Sequence, residues 1–302
     1  MKENKSETEI VLVLDSKYEK FATLFVRDIL RYARKNTQEY LILNILTFED
    51  FVPRNLISKY EKDFKKIRHF SFNTNVFSAE LEASGHISRV AYLKIFIGSV
   101  LPETSLSCIY FDVDILVNDN PNELFELALP KECLIAASTR YGRQTHHQSM
   151  NKLDKTFNSG LMKINLDVWR KLDFTKVCME ILIKEGGLPW ADNDILVLAL
   201  NRLDVDCFHL NSRIHFMPDF IGKNELGDSN PIFVHFLGAN KPWNSPFGSQ
   251  FAKLWRKRFK DIEPNFKLDY QVYLRFCLKI IRDIAYKSYL PVIETYKKLI
   301  SN

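Results

Sequence analysis

Short apolar runs alternate with segments of helical periodicity along most of this chain. The runs that predict buried strands are Ile10–Ser16, Leu41–Thr47, Cys108–Phe111, Cys133–Thr139 and Pro231–Gly238. Helical patterns lie between them in "YEKFATLFVRDILRYARK", "SRVAYLKIFIGSVLP", "NPNELFEL" and "DNDILVLALN". This alternation predicts an α/β fold with a mostly parallel central sheet and helices on both faces. Ligands of such sheets bind beyond the carboxyl ends of the strands.

Composition narrows the class of protein. With 302 residues, 46% of them hydrophobic, the chain can bury a large core. Its five cysteines are scattered and odd in number, which favours reduced thiols in a cytosol over a disulfide framework. The start, "MKENKSETEI", lacks the apolar stretch of a secretory signal. No run of about 18 apolar residues occurs, so we expect no membrane-spanning segment.

Positive charge is concentrated at the end of the chain. Residues 249–302 hold 12 Lys and Arg against 5 Asp and Glu, whereas residues 1–248 hold 30 against 32. The stretch Asn244–Gln250 is the one convincing boundary. We therefore predict a catalytic domain at residues 1–248 and a basic, aromatic, helical region at residues 249–302.

Pairs of aspartates separated by one residue occur three times, so the spacing alone decides nothing. Asp204 and Asp206 fall in a plausible short exposed strand, and we interpret them as solvated acids. Asp192 opens a predicted helix, where a carboxylate can cap free N–H groups.

Asp112 and Asp114 differ because apolar residues flank them on both sides in "SCIYFDVDILVND". A buried carboxylate needs a cation or strong hydrogen-bond donors. Both side chains could reach one site at the end of a strand, where carboxylates and phosphate oxygens suit Mg²⁺ or Mn²⁺. The alternative is a turn at the strand end that carries two solvated acids.

A second group of polar residues follows the last predicted strand, in "HFLGANKPW". His235 lies inside an apolar run, Gly238 lets backbone approach a ligand closely, and Lys241 can meet phosphate as a point charge. These residues are typical of a clamp for phosphate and metal. A lone histidine on a strand can equally be a core residue.

The ordered series "SRVAYLKIFI", "YFDVDILV", "FNSGLMKIN", "ADNDIL" and "HFLGANKPW" resembles glycosyltransferase family 8 over about residues 9–245. Among its members, the pattern is similar to that of a bacterial lipooligosaccharide galactosyltransferase. The resemblance implies a single GT-A, Rossmann-like nucleotide-sugar domain. It also implies transfer of a sugar from a UDP-sugar with retention of the anomeric configuration, with Mn²⁺ as the usual metal.

The resemblance also implies a role for individual residues. They are the metal ligands Asp112, Asp114 and His235, the phosphate-binding Gly238 and Lys241, the uracil-binding Asp15 and Tyr18, the donor-sugar residues Lys94, Asn158, Asp192 and Asn193, and the acceptor-side His86.

Two of these positions depart from the family pattern. Lys94 stands where members commonly have Arg, which keeps the charge and loses the bidentate fork. Asn193 stands where the galactosyltransferase has Gln. Asp192 or Asp194 could serve as a carboxylate nucleophile. Because the amide of Asn193 occupies the position nearest the reacting face, we favour same-face attack by the acceptor.

The resemblance thus implies a hexosyltransferase that takes galactose or glucose from a UDP-hexose. The implied acceptor is a surface glycan or glycolipid such as lipooligosaccharide or lipopolysaccharide. Two rivals are a nucleotidyltransferase that makes sugar nucleotides and a non-catalytic, membrane-associated protein that binds them. The first should carry a Gly-rich basic loop near the amino terminus, and "VLDSKYEK" has no Gly.

The carboxyl-terminal region predicts an interfacial anchor on anionic lipid, which places the protein at the inner face of the cytoplasmic membrane. In "FAKLWRKRFK", aromatic residues interleave with basic ones, and Arg275, Lys279 and Arg282 share one helical stripe. A terminal helix packed on the catalytic domain is the alternative. Nucleic acid is disfavoured as a partner because the body of the chain predicts a sugar-nucleotide site.

Overall fold

The fold is seen in a computed structural model that describes residues 7–77, 89–141, 155–185, 192–218, 230–238, 241–245 and 248–268, with residues 274 and 278. The chain divides into two compact units. The first comprises Met1–Asp219 and Lys223–His235, and the second comprises Phe220–Gly222 and Phe236–Asn302.

The described part of the first unit contains ten strands and seven α-helices. The strands are β1 (Thr8–Val13), β2 (Leu41–Phe48), β3 (Lys66–Phe72), β4 (Ser107–Phe111), β5 (Ile115–Val117), β6 (Ile135–Tyr141), β7 (Lys155–Asn165), β8 (Cys207–His209), β9 (His215–Phe216) and β10 (Phe233–His235). The helices are α1 (Glu19–Tyr32), α2 (Arg54–Tyr60), α3 (Ile97–Val100), α4 (Asn122–Phe125), α5 (Leu166–Lys171), α6 (Phe174–Glu185) and α7 (Asp192–Arg202). Short 3₁₀ helices occupy Thr37–Glu39, Thr74–Val76 and Arg89–Phe96.

The central sheet has seven strands in the order β3-β2-β1-β4-β7-β6-β8. Neighbouring strands are parallel except where β7 runs antiparallel to β4 and to β6. A small second sheet has the order β5-β10-β9. The prediction of an α/β fold with a mostly parallel sheet is confirmed.

Alternate residues of β1 enter two separate apolar cores, as the period of a strand requires. Val11 packs in a core that contains Leu196 of α7, and Leu12 packs in a core that contains Phe25 of α1. Helices therefore cover both faces of the central sheet, which explains why β1 is apolar at every position from Ile10 onward.

The segment between β4 and β5 leads the chain from the large sheet into the small one. Phe111 ends β4 and Ile115 begins β5, so the predicted ligands Asp112 and Asp114 lie in the connection. Antiparallel pairing sets His235 of β10 opposite Ile115. Strand register alone thus brings His235 next to Asp114.

Two predicted elements differ from the structure. "SRVAYLKIF" forms a 3₁₀ helix at Arg89–Phe96, and only Ile97–Val100 is α-helical. The short exposed strand predicted to contain Asp204 and Asp206 begins only at Cys207, and Asp204 precedes it with a left-handed backbone, φ of 53°. Asp204 and Asp206 are exposed, as predicted.

Cysteine and membrane predictions can be checked within the described ranges. Cys108, Cys133, Cys178 and Cys207 are free thiols, and Cys277 lies outside the described residues. None of the helices described is both long and apolar enough to cross a bilayer.

The second unit contains helix α8 (Gln250–Lys260). The Trp255 ring contacts the rings of Trp243, Phe259 and Phe266 at centroid distances of 5.3, 4.7 and 6.3 Å. Trp255 and Phe259 are buried, whereas the lysines of the same helix are exposed at Lys253, Lys257 and Lys260. The stripe of Arg275, Lys279 and Arg282 lies outside the described residues.

Candidate active site

Asp112, Asp114 and His235 form one cluster. Each offers one ligand atom, and these atoms all lie within 4.8 Å of one another. Nε2 of His235 lies 3.1 Å from Oδ1 of Asp114 and 3.8 Å from Oδ2 of Asp112. The His235 side chain is 4% exposed and that of Asp112 is 33% exposed, so the cluster is buried on one side and reachable on the other.

Gly160 forms the floor of this cluster. A Cβ atom at position 160 would lie 2.1 Å from Cε1 of His235 and 2.8 Å from Oδ2 of Asp112. The backbone N–H of Asp112 donates to the Gly160 carbonyl oxygen at 2.7 Å. Residues 159–161 of β7 are bypassed in the pairing with β6, where Ala137 pairs with Met162 and Ser138 with Asn158. This irregularity in β7 places Gly160 against the cluster.

The residues present fit a divalent cation. Two carboxylates and an imidazole are a ligand set that Mn²⁺ accepts, and Mg²⁺ accepts the carboxylates. A Cβ atom at position 160 would also lie 2.8 Å from Nδ1 of His235, so only a glycine lets His235 and Asp112 take these places in the cluster.

His215 supports His235 from behind. Nε2 of His215 lies 3.2 Å from Nδ1 of His235, the nitrogen that faces away from the two aspartates. The two ring planes differ by 18° and the ring centroids are 5.3 Å apart. Both side chains are almost fully buried. The His235 ring is therefore fixed through both of its nitrogens.

Lys94 connects the cluster of Asp112, Asp114 and His235 to the start of α7. Its Nζ lies 2.7 Å from Oδ2 of Asp192 and 3.4 Å from Oδ1 of Asp112, and 4.5 Å from the centre of the Tyr110 ring. Burial disfavours the charged lysine, but the carboxylates of Asp112 and Asp192 outweigh it and raise the pKa of Lys94. Lys94 is thus a buried cation shared by two acids.

Tyr110, on strand β4, also contacts Asp112. Its hydroxyl donates to Oδ1 of Asp112 at 2.5 Å. Burial, followed by the charge of Asp112, raises the pKa of Tyr110 well above its usual value, so the hydroxyl stays protonated and remains a donor. Tyr110 and Lys94 both engage Oδ1, and Oδ2 of Asp112 faces the cluster.

The first turn of α7 contacts the irregular part of β7. The Ser159 hydroxyl donates to Oδ2 of Asp192 at 2.9 Å, and the Ser159 backbone N–H donates to Oδ1 of Asn193 at 2.8 Å. Oδ1 of Asn158 accepts from the backbone N–H of Gly160 at 3.0 Å. Burial raises the pKa of Asp192, although Lys94 opposes this shift.

Asp15 and Tyr18 follow the carboxyl end of β1. Asp112 follows the carboxyl end of β4, which is the parallel neighbour of β1. Oδ1 of Asp15 accepts from the backbone N–H of Lys17 at 3.0 Å. Burial and then the charges of Asp114, Asp15 and Asp112 raise the pKa of Tyr18.

The remaining predicted residues lie outside the described part of the first unit. Gly238 and Lys241 belong to the second unit. Gly238 is exposed with a left-handed φ of 69°, and Nζ of Lys241 donates to the carbonyl oxygen of Phe236. His86 lies outside the described residues.

The sequence reading missed four residues of the site, which are Tyr110, Ser159, Gly160 and His215. Ser159 and Gly160 lie in "FNSGLMKIN", and Tyr110 lies in the apolar run Cys108–Phe111, where no local pattern marks them as site residues. His215 carries no local signal in "RIHFMP", because its partner is 20 residues away in sequence and adjacent only through strand pairing.

Comparison with known proteins identifies the family to which the chain belongs. The pattern of the glycosyl transferase family 8 matches residues 9–246. General stress protein A of Bacillus subtilis is 30% identical over 199 residues, which cover 59% of this chain and 67% of that protein. Lipopolysaccharide 1,2-glucosyltransferase of Escherichia coli K12 is 21% identical over 227 residues, which cover 69% of this chain and 64% of that protein.

Other relatives are longer, and this chain spans only part of them. Glycosyltransferase GlyA of Streptococcus pneumoniae is 24% identical, with 74% of this chain but only 31% of that protein covered. Among solved structures, galactosyltransferase LgtC in complex with donor and acceptor sugar analogs superposes with a TM-score of 0.69 at 22% identity. The superposition covers 84% of this chain and 96% of LgtC, and it shows a shared fold.

Proposed function

The chain belongs to glycosyltransferase family 8, and on that premise we propose that it is a metal-dependent, retaining hexosyltransferase. Its donor is a UDP-hexose, with galactose or glucose as the sugar. Its acceptor is a surface glycan such as lipooligosaccharide or lipopolysaccharide. The lipopolysaccharide glucosyltransferase among the relatives, and the donor and acceptor sugar analogs bound by LgtC, support this proposal.

One observation carries the proposal: Asp112, Asp114 and His235 converge beside Gly160, where a side chain would crowd His235 and Asp112. These three residues would hold Mn²⁺, or Mg²⁺ in its place. A bound divalent cation would neutralise the negative charge that grows on the departing diphosphate.

The residues around the cluster prepare it for this role. Tyr110 and Lys94 restrain Oδ1 of Asp112, which leaves Oδ2 directed at the cluster. Lys94 also supplies a positive charge that stays in place because it is buried and paired with Asp192. A fixed cation costs no reorganisation when negative charge moves during the reaction.

The contacts of Asp192 favour same-face attack over a double displacement. A carboxylate nucleophile must have an oxygen that can attack the anomeric carbon. Oδ2 of Asp192 instead accepts from Ser159 and pairs with Lys94. Oδ1 of Asn193 accepts from the Ser159 backbone, which orients its Nδ2 group to donate to the donor sugar. We assign both residues to donor orientation at the reacting centre, with Asn158 beside them.

The outer parts of the donor and acceptor sites remain proposals from the family resemblance. Asp15 would accept from the uracil ring and Tyr18 would stack on it. Gly238 and Lys241 would bind the diphosphate. His86 would face the acceptor.

We also propose that residues 1–248 form the catalytic region and that residues 249–302 associate with the anionic inner face of the cytoplasmic membrane. The excess of basic residues in that region supports this location. No role in binding nucleic acid is proposed.

The test measures transfer and hydrolysis of radiolabelled UDP-galactose and UDP-glucose with Mn²⁺, before and after EDTA. We expect activity with Mn²⁺ that EDTA removes and that Asp114→Ala and His235→Ala abolish. Asp204→Asn is the matched control, because Asp204 is an exposed acid whose left-handed backbone Asn tolerates. Full activity in EDTA contradicts the metal assignment. Pyrophosphate exchange without transfer would indicate a nucleotidyltransferase, and binding without turnover a non-catalytic protein.

A further inference from the structure

His215 is buried beside His235. Of the three candidate ligands, His235 is the one whose neutral side chain has two tautomers. A neutral imidazole carries its proton on either Nδ1 or Nε2, and only the unprotonated nitrogen can bind a metal. In His235 the nitrogen near Asp112 and Asp114 is Nε2, and the nitrogen that meets His215 is Nδ1. A metal-binding His235 must therefore carry its proton on Nδ1.

The geometry gives that proton an acceptor. Nδ1 of His235 and Nε2 of His215 are 3.2 Å apart, and the small angle of 18° between the rings suits a hydrogen bond, because N–H groups and lone pairs lie in the ring plane. His215 is 1% exposed and His235 is 3% exposed, so water does not readily replace either partner.

The backbone holds His215 in this position. β9 pairs in parallel with β10, with His215 opposite Phe233, and the N–H of His215 donates to the carbonyl oxygen of Asn211 at 3.1 Å. The Ser138 hydroxyl donates to the carbonyl oxygen of His215 at 3.4 Å. The ring thus approaches His235 from a strand of the same small sheet.

We propose that His215 is a positioning residue for the metal site. By accepting a hydrogen bond from Nδ1 of His235, it keeps the Nε2 lone pair directed at the space between Asp112 and Asp114. This inference rests on the proposed metal site and assigns His215 no contact with substrate or metal. A partner of this kind fixes both the tautomer and the orientation of a metal-binding histidine.

The test measures Mn²⁺ affinity of the full chain by calorimetry in the absence of any donor sugar. His215→Phe keeps a ring but removes the acceptor, and we expect it to weaken Mn²⁺ binding by about 10- to 100-fold. His215→Gln places an amide oxygen near the position of Nε2, and we expect it to bind Mn²⁺ within a few-fold of the wild type. His209→Phe makes the same change at an exposed histidine of β8 and should leave the affinity unchanged.

Equal Mn²⁺ affinity in His215→Phe and the wild type would overturn the inference, as would equal losses in the Phe and Gln variants. Failure of the wild type itself to bind Mn²⁺ would instead refute the proposed metal site, and the role of His215 with it. If His215→Phe does not fold, ¹⁵N NMR of the wild-type imidazoles with diamagnetic Zn²⁺ decides the matter. A scalar coupling between Nδ1 of His235 and Nε2 of His215 across their hydrogen bond is expected, and its absence contradicts the proposal.

Discussion

Gly160 lets His235 and Asp112 approach closely because it has no side chain. We expect Gly160→Ala to weaken Mn²⁺ binding at least tenfold, because its Cβ would lie 2.1 Å from His235 and 2.8 Å from Asp112. Overpacking of this kind also costs about 1–3 kcal/mol of stability. Calorimetry with Mn²⁺ measures the first effect and denaturant unfolding in EDTA the second. Unchanged Mn²⁺ affinity in a folded Gly160→Ala variant would contradict the assignment.

Lys94 is expected to stabilise the fold through the two acids that it joins. Lys94→Met leaves Asp112 and Asp192 without their buried cation, which should lower the free energy of unfolding by about 3–5 kcal/mol. The double variant Lys94→Met/Asp192→Asn should recover part of this loss, because one uncompensated charge is removed. Denaturant unfolding near pH 7 measures both variants.

The control for Lys94 is an exposed ion pair of the same chemistry. Lys171 lies 2.8 Å from Asp167, and both side chains are more than half exposed. Lys171→Met should change the unfolding midpoint little, because solvent screens such pairs. Equal effects of the two Lys→Met substitutions would mean that burial does not strengthen the Lys94 interactions.

The proximity of Asp112, Asp114 and His235 could be predicted from sequence, and the residues that shape this cluster could not. Asp112 and Asp114 stand out because they interrupt an apolar run, and His235 because it lies in one. The roles of Gly160 and His215 depend on an irregular strand pairing and on a contact between two strands. The local sequence indicates neither role. A glycine before a strand usually marks a turn, and a histidine in a strand usually packs in the core.

At the scale of elements, β7 holds the end of helix α4 through one buried lysine. Nζ of Lys163 donates to the carbonyl oxygens of Leu124 at 3.0 Å and Phe125 at 2.9 Å. Lys163 is 7% exposed, and burial lowers its pKa from 10.5 to about 8. A neutral amine still has two N–H groups and can keep both hydrogen bonds.

This depressed pKa predicts a rise in stability between about pH 8 and pH 10.5. The unfolded chain binds the Lys163 proton in this window while the folded chain has lost it, so the free energy of unfolding increases with pH. The contribution is complete above the unfolded pKa and is lost as the pH falls through the folded pKa. Its upper bound is about 3 kcal/mol.

Comparison with Lys163→Met isolates this term, because tyrosines and cysteines also titrate in the same range. Denaturant unfolding at pH 8 and at pH 10 should show a gain in the wild type relative to the variant. A wild type and a variant with the same pH dependence would show that Lys163 keeps its usual pKa in the fold.

Elements with a strong hydrophobic period could be predicted well from sequence. Elements whose geometry depends on tertiary contacts could be predicted less well. β1, β2 and α1 follow from apolar runs and helical spacing. "SRVAYLKIF" also suggests an α-helix, but Tyr92, Leu93, Lys94 and Ile95 are all buried there. Because most of the surface of this segment is covered, packing against its neighbours determines its geometry more than helix propensity does. The segment adopts the tighter 3₁₀ form.

At the scale of the whole molecule, charge divides the sequence near residue 249, whereas the compact units divide between His235 and Phe236. Composition cannot show the second division, because the apolar run of β10 continues without a break through Phe236 and Leu237. The aromatic residues of α8 illustrate the difference. Trp255 and Phe259 suggest an anchor in sequence, yet they are buried against Trp243 and Phe266.

Membrane association should therefore depend on the exposed lysines of α8 rather than on its aromatic face. Lys253, Lys257 and Lys260 follow the i, i+4, i+7 spacing of one helical stripe, and each basic residue near anionic lipid contributes about 1 kcal/mol. We expect the triple Lys→Glu variant to lose binding to vesicles that contain phosphatidylserine. It should keep its helical content and its transfer to a small acceptor, because these side chains are outside the buried cluster.

The matched control reverses three exposed lysines of the first unit, Lys59, Lys62 and Lys66, and changes the net charge by the same amount. Vesicle sedimentation of both variants separates a local contact from a general effect of charge. Equal loss of binding in both would indicate attraction by net charge alone. Retained binding in the α8 variant would move the contact elsewhere. Charge reversal is the sharper test than deletion of residues 249–302, because deletion would also remove Trp255 and Phe259 from a buried cluster.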